Sequence, residues 1–298
     1  MSSATAPVND PLAHRASAWN LAPAFVVMGI FFSAYAVFLH TSFLQAIPGT
    51  AQMGDQITLS NYVRYFTSPA DLTVLWETLW MSTKLMVASF LLGYPVAYVI
   101  VRTQSSALRN FLLAALVMTF LSGSVTRAYA WLVLLGNNGV INVMLQKLSV
   151  IAQPIQLVYN EVGVFIALLH FILPFFVLTM MGPLKNVNRS YEEAAINLGA
   201  SRIQGFLRVT LPLSVPGIIA ASSLSFAMAL SSFVFPLVLG GGRVRMVANS
   251  IYEHIFTSFD FPFAAATATV FLMVALFFVW AFSAVQRIAM RQYQPRSA

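Results

Sequence analysis

Six apolar runs, each 21 to 26 residues long, restrict what this sequence can fold into. A helix needs roughly 20 predominantly apolar residues to cross a bilayer, where only helices and closed barrels satisfy their own backbone polar groups. Charged residues make up only 8% of the chain, against about 25% in globular domains. We therefore predict an all-α membrane protein. Its six transmembrane helices are predicted at about 21–43, 78–101, 110–135, 162–182, 213–237 and 262–286.

The ends of the chain define a simple domain partition. The first apolar run follows His14 and Arg15, and it is longer than the roughly 7–15 residues of a signal-peptide core. We predict that it is a retained helix. The sequence shows no repeat and no flexible linker. We expect one membrane domain, 21–286, between cytoplasmic tails at 1–20 and 287–298.

The basic residues are distributed unevenly between the two sides of the predicted bundle. With the N-terminus inside, the internal segments contain ten of the sixteen basic residues and only three acids, which accounts for the whole net charge of +7. This asymmetry follows the positive-inside rule. It predicts cytoplasmic termini and a lipid bilayer as the environment. Because the excess of basic residues is explained in this way, a nucleic-acid partner is not needed to account for it.

The chain lacks the residues that common enzymes and metal sites require. It has no cysteine, and its four histidines are isolated, so we predict no metal site and no cofactor in this chain. No lysine follows a glycine, so the Gly-Lys-Ser/Thr sequence of a phosphate loop is absent. Ser124 and His170 could nominally serve an intramembrane protease, but neither lies in a nucleophile motif. We predict a protein that is not an enzyme.

Residues 183–212, called here the loop segment, form the one long internal loop. Ser190 with Glu193 and Ser201 with Gln204 each fit a capping box, which predicts two short helices. Gly199 is placed to end the first, because glycine tolerates a left-handed backbone. Each predicted helix carries one apolar stripe, and a helix this short needs another surface packed against that stripe to be stable. The two stripes comprise Tyr191, Ala194, Ala195 and Leu198, then Ile203, Phe206, Leu207 and Thr210.

The loop segment also carries an ordered motif. Glu193-Ala194-Ala195 is followed by Gly199, Val209 and Leu211-Pro212. This pattern resembles the EAA motif of the integral-membrane subunits of bacterial ABC importers, with valine in place of the usual isoleucine. A surface amphipath lying on the membrane is the alternative interpretation of the same stripes.

Further stretches between residues 60 and 290 look like the spermidine/putrescine branch of that family. They include "TRAYAWLVLLGNNGVINVML" at 126–145, "LPLSVPGIIAASSLSFAMAL" at 211–230 and "FDFPFAAA" at 259–266. At position 261 this chain has phenylalanine, where the resemblance to the branch leads us to expect tryptophan. This difference bears on the identity of the substrate more than on the fold.

The resemblance implies a type I ABC-importer permease bundle in the bacterial inner membrane. Its partners would be a second, paralogous permease, two cytoplasmic ABC ATPases that bind ATP and Mg, and a periplasmic solute-binding protein. The loop segment would couple the bundle to an ATPase. The residues implied in that coupling are Glu192, Glu193, Ala194, Ala195, Gly199, Ala200, Arg202 and Pro212.

Candidates for a pathway or gate lie in the spans and on the outer side. Arg127 falls within the third apolar run, where an ionisable residue either lines a cavity or is held by snorkelling or structural pairing; both alternatives stay open. Glu161, Glu253 and Asp260 could attract a cation or simply be solvated. The candidate set is Arg127, Tyr129, Trp131, Phe233, Phe235, Glu253 and Asp260, with Gly240 to Gly242 as a turn or gate.

The resemblance makes a polyamine the first expectation for the solute, with iron, thiamine, phosphonate or an opine as alternatives. A self-sufficient secondary transporter or channel is the rival from another class. Such a protein would hold coupling ions at buried acids or discontinuous helices near the midplane. No predicted span contains an acid within its central turns, which favours the importer subunit.

Overall fold

The computed structural model describes residues 11–47 and 52–293. It is predominantly helical, as predicted. In chain order the elements are α1 (Pro11–Ser42), β1 (Leu44–Ala46), β2 (Met53–Ile57), α2 (Ser60–Thr67), α3 (Pro69–Arg102), α4 (Ser106–Leu121), α5 (Ser124–Leu135), α6 (Val140–Lys147), α7 (Glu161–Asn186), α8 (Arg189–Asn197), α9 (Arg202–Gly205), a π-helical turn (Phe206–Thr210), α10 (Leu211–Leu213), α11 (Val215–Leu230), α12 (Val234–Leu239), α13 (Val247–Phe256) and α14 (Phe261–Tyr293).

Within this described part, five helical segments are long and apolar enough to cross a membrane. They are Pro23–Ser42, Pro69–Arg102, Ser124–Lys147, Glu161–Asn186 and Phe261–Ala289. A sixth crossing arises if Arg202–Leu213 and Val215–Leu230 count as one span, although the two parts meet at 67°. The predicted fold class is therefore confirmed. The predicted tails lie partly outside the described residues, since 1–10 and 294–298 are not covered.

The centre of the bundle is built from α3, α7 and α11, which pack against one another. Two buried clusters follow this centre along its length. One surrounds Leu85, Leu168 and Phe235, and the other surrounds Ile100, Phe176 and Leu184 near the loop segment. Outer apolar side chains such as Phe31 and Leu91 remain exposed, as expected for a surface that faces lipid.

Two of the predicted spans are interrupted. The third apolar run is divided at Ser122 and Gly123, whose extended backbone ends α4 and precedes α5. The fifth is divided after Leu230, and α12 begins at Val234. Hydropathy alone does not reveal these breaks, because the flanking residues remain apolar. Helix α12 packs against α5, so the two interrupted spans are neighbours.

The segments predicted as loops at the other end of the bundle also contain structure. Residues 44–77 include the antiparallel β1–β2 pair and α2, and α3 begins nine residues before the predicted span, at Pro69. Helices α6 and α13 lie in the other two predicted loops. The β pair is the one feature of the described chain that the all-α prediction does not include.

Candidate functional site

The first four residues of the loop segment belong to α7, which ends at Asn186, later than predicted. The rest folds as α8 and, after a turn at Gly199, as α9 with the π-helical turn and α10. Gly199 has a φ of +92°, and its amide donates to Ile196 O while the Ala200 amide donates to Ala195 O. This pair of bonds is the Schellman arrangement, which ends a helix on a left-handed residue. The prediction that Gly199 ends the first helix is confirmed.

One of the two predicted capping boxes is confirmed and the other is wrong. Ser201 and Gln204 exchange side-chain and backbone hydrogen bonds at the start of α9. At α8, however, the N-cap is Asn188, whose side chain accepts from the Ser190 amide at 3.0 Å. Asparagine is as good an N-cap as serine, and using Asn188 starts the helix earlier than predicted.

The apolar stripes of the loop segment remain largely uncovered by this chain. Leu198 is 90% exposed and Ile203 is 72% exposed, and Tyr191 and Leu207 are also exposed. Phe206 and Thr210 are the exceptions, because Phe206 packs edge-on against Tyr94 and Tyr98 of α3 and Thr210 is fully buried. We call Tyr191, Ala194, Leu198, Ile203 and Leu207 the exposed stripe.

A groove lies beside the exposed stripe. It has a volume of about 400 Å³, and Tyr191 forms part of its wall. The rest of the wall comes from the end of α7, the start of α11 and Gln286 of α14. Of the predicted coupling residues, Glu193, Ala194, Gly199 and Arg202 are exposed and Ala195 and Ala200 are partly exposed, whereas Glu192 turns towards the bundle. Pro212 lies in α10, half-buried.

Arg127 closes the break in the third span. Its side chain is 4% exposed and donates through Nη2 to Ser122 O at 2.8 Å and to Thr119 O. These are carbonyl groups at the end of α4 that have no helical partner. The guanidinium also lies 5.1 Å from the centre of the Phe171 ring. Structural pairing is therefore its observed role, while a part in the pathway stays a prediction.

A cavity of about 320 Å³ lies between the two interrupted spans. The break after α11 supplies Ser231, Ser232 and Phe233, and Ser124 lines it from the start of α5. Phe235 packs against Phe171, 5.2 Å between ring centres, so both rings also line this space. The structure thus brings Phe233, Phe235 and the surroundings of Arg127 together.

The remaining pathway candidates on the spans lie elsewhere. Tyr129 is exposed on the surface of α5. Trp131 donates through Nε1 to Nδ1 of His170 at 3.1 Å, a contact that the sequence did not predict. The only sign of this contact in the sequence is that both polar side chains occur within apolar runs. This bond joins α5 to α7 and orients the His170 ring.

All three predicted outer acids are ion-paired. Asp260 binds Arg64 at 2.6 Å, Glu253 binds Arg245 at 3.2 Å, and Glu161 binds Lys84. Each carboxylate therefore already has a cationic partner within the chain. The structure gives no free outer carboxylate among these three for attracting a cationic solute.

No group of three or more potential metal-binding side chains occurs within 11–47 and 52–293. The site is accordingly made of an exposed apolar stripe at one end of the bundle and a small aromatic and serine-lined cavity between interrupted spans. The exposed stripe offers a contact surface to a partner, and the cavity offers space for movement between the helices.

Comparison with known proteins places these features in a family. Residues 131–290 match the family model described as "Binding-protein-dependent transport system inner membrane component". The chain is 34% identical over 226 residues to the spermidine/putrescine transport system permease protein PotB of Haemophilus influenzae, covering 75% of this chain and 78% of that protein. It is 28% identical over 262 residues to the inner membrane ABC transporter permease protein YdcU of Escherichia coli, covering 83% and 82%.

Solved structures share the fold at lower identity. A chain of the crystal structure of a bacterial ABC transporter involved in import of the polysaccharide alginate superposes with a TM-score of 0.73 at 20% identity, covering 90% of this chain and 93% of that one. An inward-facing MetNI methionine ABC transporter gives 0.56 at 15% identity, covering 75% and 99%. The chain therefore belongs to the family of binding-protein-dependent transport system inner membrane components, and its helical bundle and loop segment agree with this assignment.

Proposed function

We propose that this permease imports a polyamine, such as spermidine or putrescine, as one of two membrane subunits of an ATP-driven importer. The observation that carries the solute class is the 31–34% identity to spermidine/putrescine permeases from several bacteria over about three quarters of the chain. The second membrane subunit is proposed to be a paralogue. A periplasmic binding protein would deliver the solute.

Energy is proposed to come from two cytoplasmic ATPases, which would bind ATP and Mg. The exposed stripe supports this part of the proposal, because its leucines and isoleucine lie uncovered at the end of the bundle. Small residues at Ala194 and Ala195 would let a partner surface approach α8 closely. The permease itself would perform no covalent chemistry, and its contribution is the differing stability of inward- and outward-facing states.

The cavity between the interrupted spans is the proposed position of the transport pathway. Discontinuous helices expose backbone polar groups inside a membrane, which is tolerated where they line a cavity or are satisfied by protein groups. Arg127 donates to two carbonyl groups at the end of α4, and Ser231, Ser232 and Phe233 form the second break. We propose that Phe233 and Phe235 act at a gate there, with Arg127 holding the adjacent backbone.

Uptake measurements test the solute. Cells that express the complete importer should accumulate labelled spermidine, and an excess of unlabelled putrescine should reduce that uptake. Thiamine, ferric iron, phosphonate, opines and neutral sugars should not compete. Competition by one of these compounds, with none by polyamines, would replace the polyamine assignment with that solute.

Labelling of single cysteines tests the proposed orientation, in the bacterial inner membrane with both termini cytoplasmic. The chain has no native cysteine, so each introduced thiol reports one position. Gln56 and Ser258 are exposed at one end of the bundle, and Gln104 and Asn197 are exposed at the other. A membrane-impermeant maleimide should label Gln56→Cys and Ser258→Cys in intact spheroplasts. It should label Gln104→Cys and Asn197→Cys only after permeabilisation, and labelling of Asn197→Cys from outside would contradict the orientation.

A further inference from the structure

Two adjacent glutamates of α8 point in opposite directions. The Glu193 side chain is 61% exposed and pairs with Arg189, one turn earlier, at 3.2 Å. The Glu192 side chain is only 13% exposed. The sequence implied a coupling role for both glutamates, but the structure gives their side chains different surroundings.

The Glu192 carboxylate connects three parts of the chain. It accepts from the Tyr98 hydroxyl, with oxygen–oxygen distances of 3.3 and 3.4 Å, and from the Thr210 hydroxyl of the π-helical turn. Arg102 lies 3.6 Å away as an ion-pair partner and also donates to Val187 O at 3.0 Å. One carboxylate therefore joins α8 to α3 and to the π-helical turn.

Helix α3 presents a row of contacts to this region. Tyr94, Tyr98 and Arg102 follow at intervals of four residues, so they lie on one face of the helix. The Tyr94 hydroxyl is 2.8 Å from Ser214 Oγ, at the bend that precedes α11. Phe206 packs between Tyr94 and Tyr98, with ring centres at 5.8 and 5.0 Å.

Helix α8 also packs against α9 and the π-helical turn, but its own residues are at most partly buried. None of its residues is fully buried. In the described part of the chain, the hydrogen bonds and the ion pair that link α8 to α3 all end on Glu192. Removing a carboxylate from such a half-enclosed set leaves Arg102 and Thr210 without their charged partner, which is costly in a desolvated position.

We propose that Glu192 is a positioning residue that clamps α8 to α3, so that a displacement of α8 moves α3 with it. Glu193, on the exposed side, is then the residue available to a partner. This inference rests on the proposed coupling to an ATPase, because it concerns how the displacement enters the bundle. The Glu192 side chain faces α3 and the π-helical turn, away from the exposed side of α8.

Amide hydrogen exchange on the full chain in lipid nanodiscs tests the clamp without any partner. Glu192→Ala should raise the exchange rate of the α8 amides about tenfold, since the link to α3 is lost. Glu192→Gln keeps an oxygen that accepts from Tyr98 and Thr210 but loses the charge, so we expect an intermediate rate. Glu193→Ala is the matched control, and its α8 exchange should stay within about twofold of the parent because its ion pair is exposed.

The importer purified through a tag on this chain provides the second measurement. Glu192→Ala should keep ATPase attachment within about twofold but lose about tenfold of the solute transported per ATP hydrolysed. Glu193→Ala should instead weaken ATPase attachment, because this glutamate lies on the exposed side of α8. Parent-like α8 exchange in Glu192→Ala, or an unchanged transport ratio, would overturn the clamp. Failure of the parent chain to attach any ATPase would instead overturn the proposed coupling function.

Discussion

Replacing Gly217 with leucine is expected to remove most of the folded permease, because α11 and α7 touch at this glycine. A Cβ atom at position 217 would lie 2.3 Å from Cβ and 2.6 Å from Cγ of Pro183. These atoms belong to a ring fixed to the α7 backbone, so they cannot rotate away. Small residues at such crossings let transmembrane helices approach closely, and close packing is a main source of their association.

The expected effect is large because the added volume has nowhere to go. Extra methylene groups forced into a packed core typically cost about 1–3 kcal/mol, and leucine adds a whole isobutyl group. We expect the fraction of monodisperse chain in size-exclusion chromatography to fall about tenfold or more. Gly217→Ala should lie between leucine and the parent.

The chain offers a matched control for this substitution. Gly182 is in α7, next to Pro183, and a Cβ atom there would meet no other atom within 4 Å. Gly182→Leu adds the same volume one residue away from Pro183 but on an exposed side of α7, so its folded yield should stay near that of the parent. Equal losses in both variants would show that the α7–α11 contact at Gly217 is not what limits folding.

The sequence predicted those features whose cause is local. Gly199 and the Ser201–Gln204 box act within a few residues, so their chemistry can be recognised without knowing the fold. The six apolar runs likewise reflect the lipid environment directly. Asn188 was missed because it competes with Ser190 for the same role, and both are good N-caps.

Features that depend on distant residues could not be predicted in this way. The inward direction of Glu192 is set by Tyr98, which is 94 residues away in sequence. The break at Ser122 and Gly123 is hidden in an apolar run, although Arg127 within that run was a usable cue. The ion pairs of Glu161 with Lys84 and of Asp260 with Arg64 join residues that are 77 and 196 positions apart in sequence, so they depend on how distant segments meet.

Replacing Gly199 with valine is expected to uncouple the importer while leaving the bundle folded. The glycine has a φ of +92°, which a β-branched residue strongly resists. No atom lies within 4 Å of a Cβ placed there, so the cost comes from the backbone alone. Strain of this kind is about 1–3 kcal/mol, too little to unfold the helical bundle.

The short helices on either side must absorb that strain. Helix α8 buries none of its residues, so its last turn is expected to open and the exposed stripe to split between Leu198 and Ile203. If the stripe docks into an ATPase as one surface, attachment should weaken by roughly 5- to 150-fold, which corresponds to the strain energy. Copurification of the ATPase, and stimulation of its activity by the loaded binding protein, measure this loss.

Two further variants separate backbone strain from the loss of a glycine. Gly199→Asn should retain most of the attachment, because asparagine adopts the left-handed conformation more readily than valine. Gly205→Ala should behave as the parent, since φ there is −58° and the nearest atom to its Cβ is 3.8 Å away. Full transport with parent-like attachment in Gly199→Val would mean that the loop segment is a surface amphipath. Gly199→Val and Gly199→Asn should differ only if the left-handed turn holds the two halves of the stripe in register for a partner.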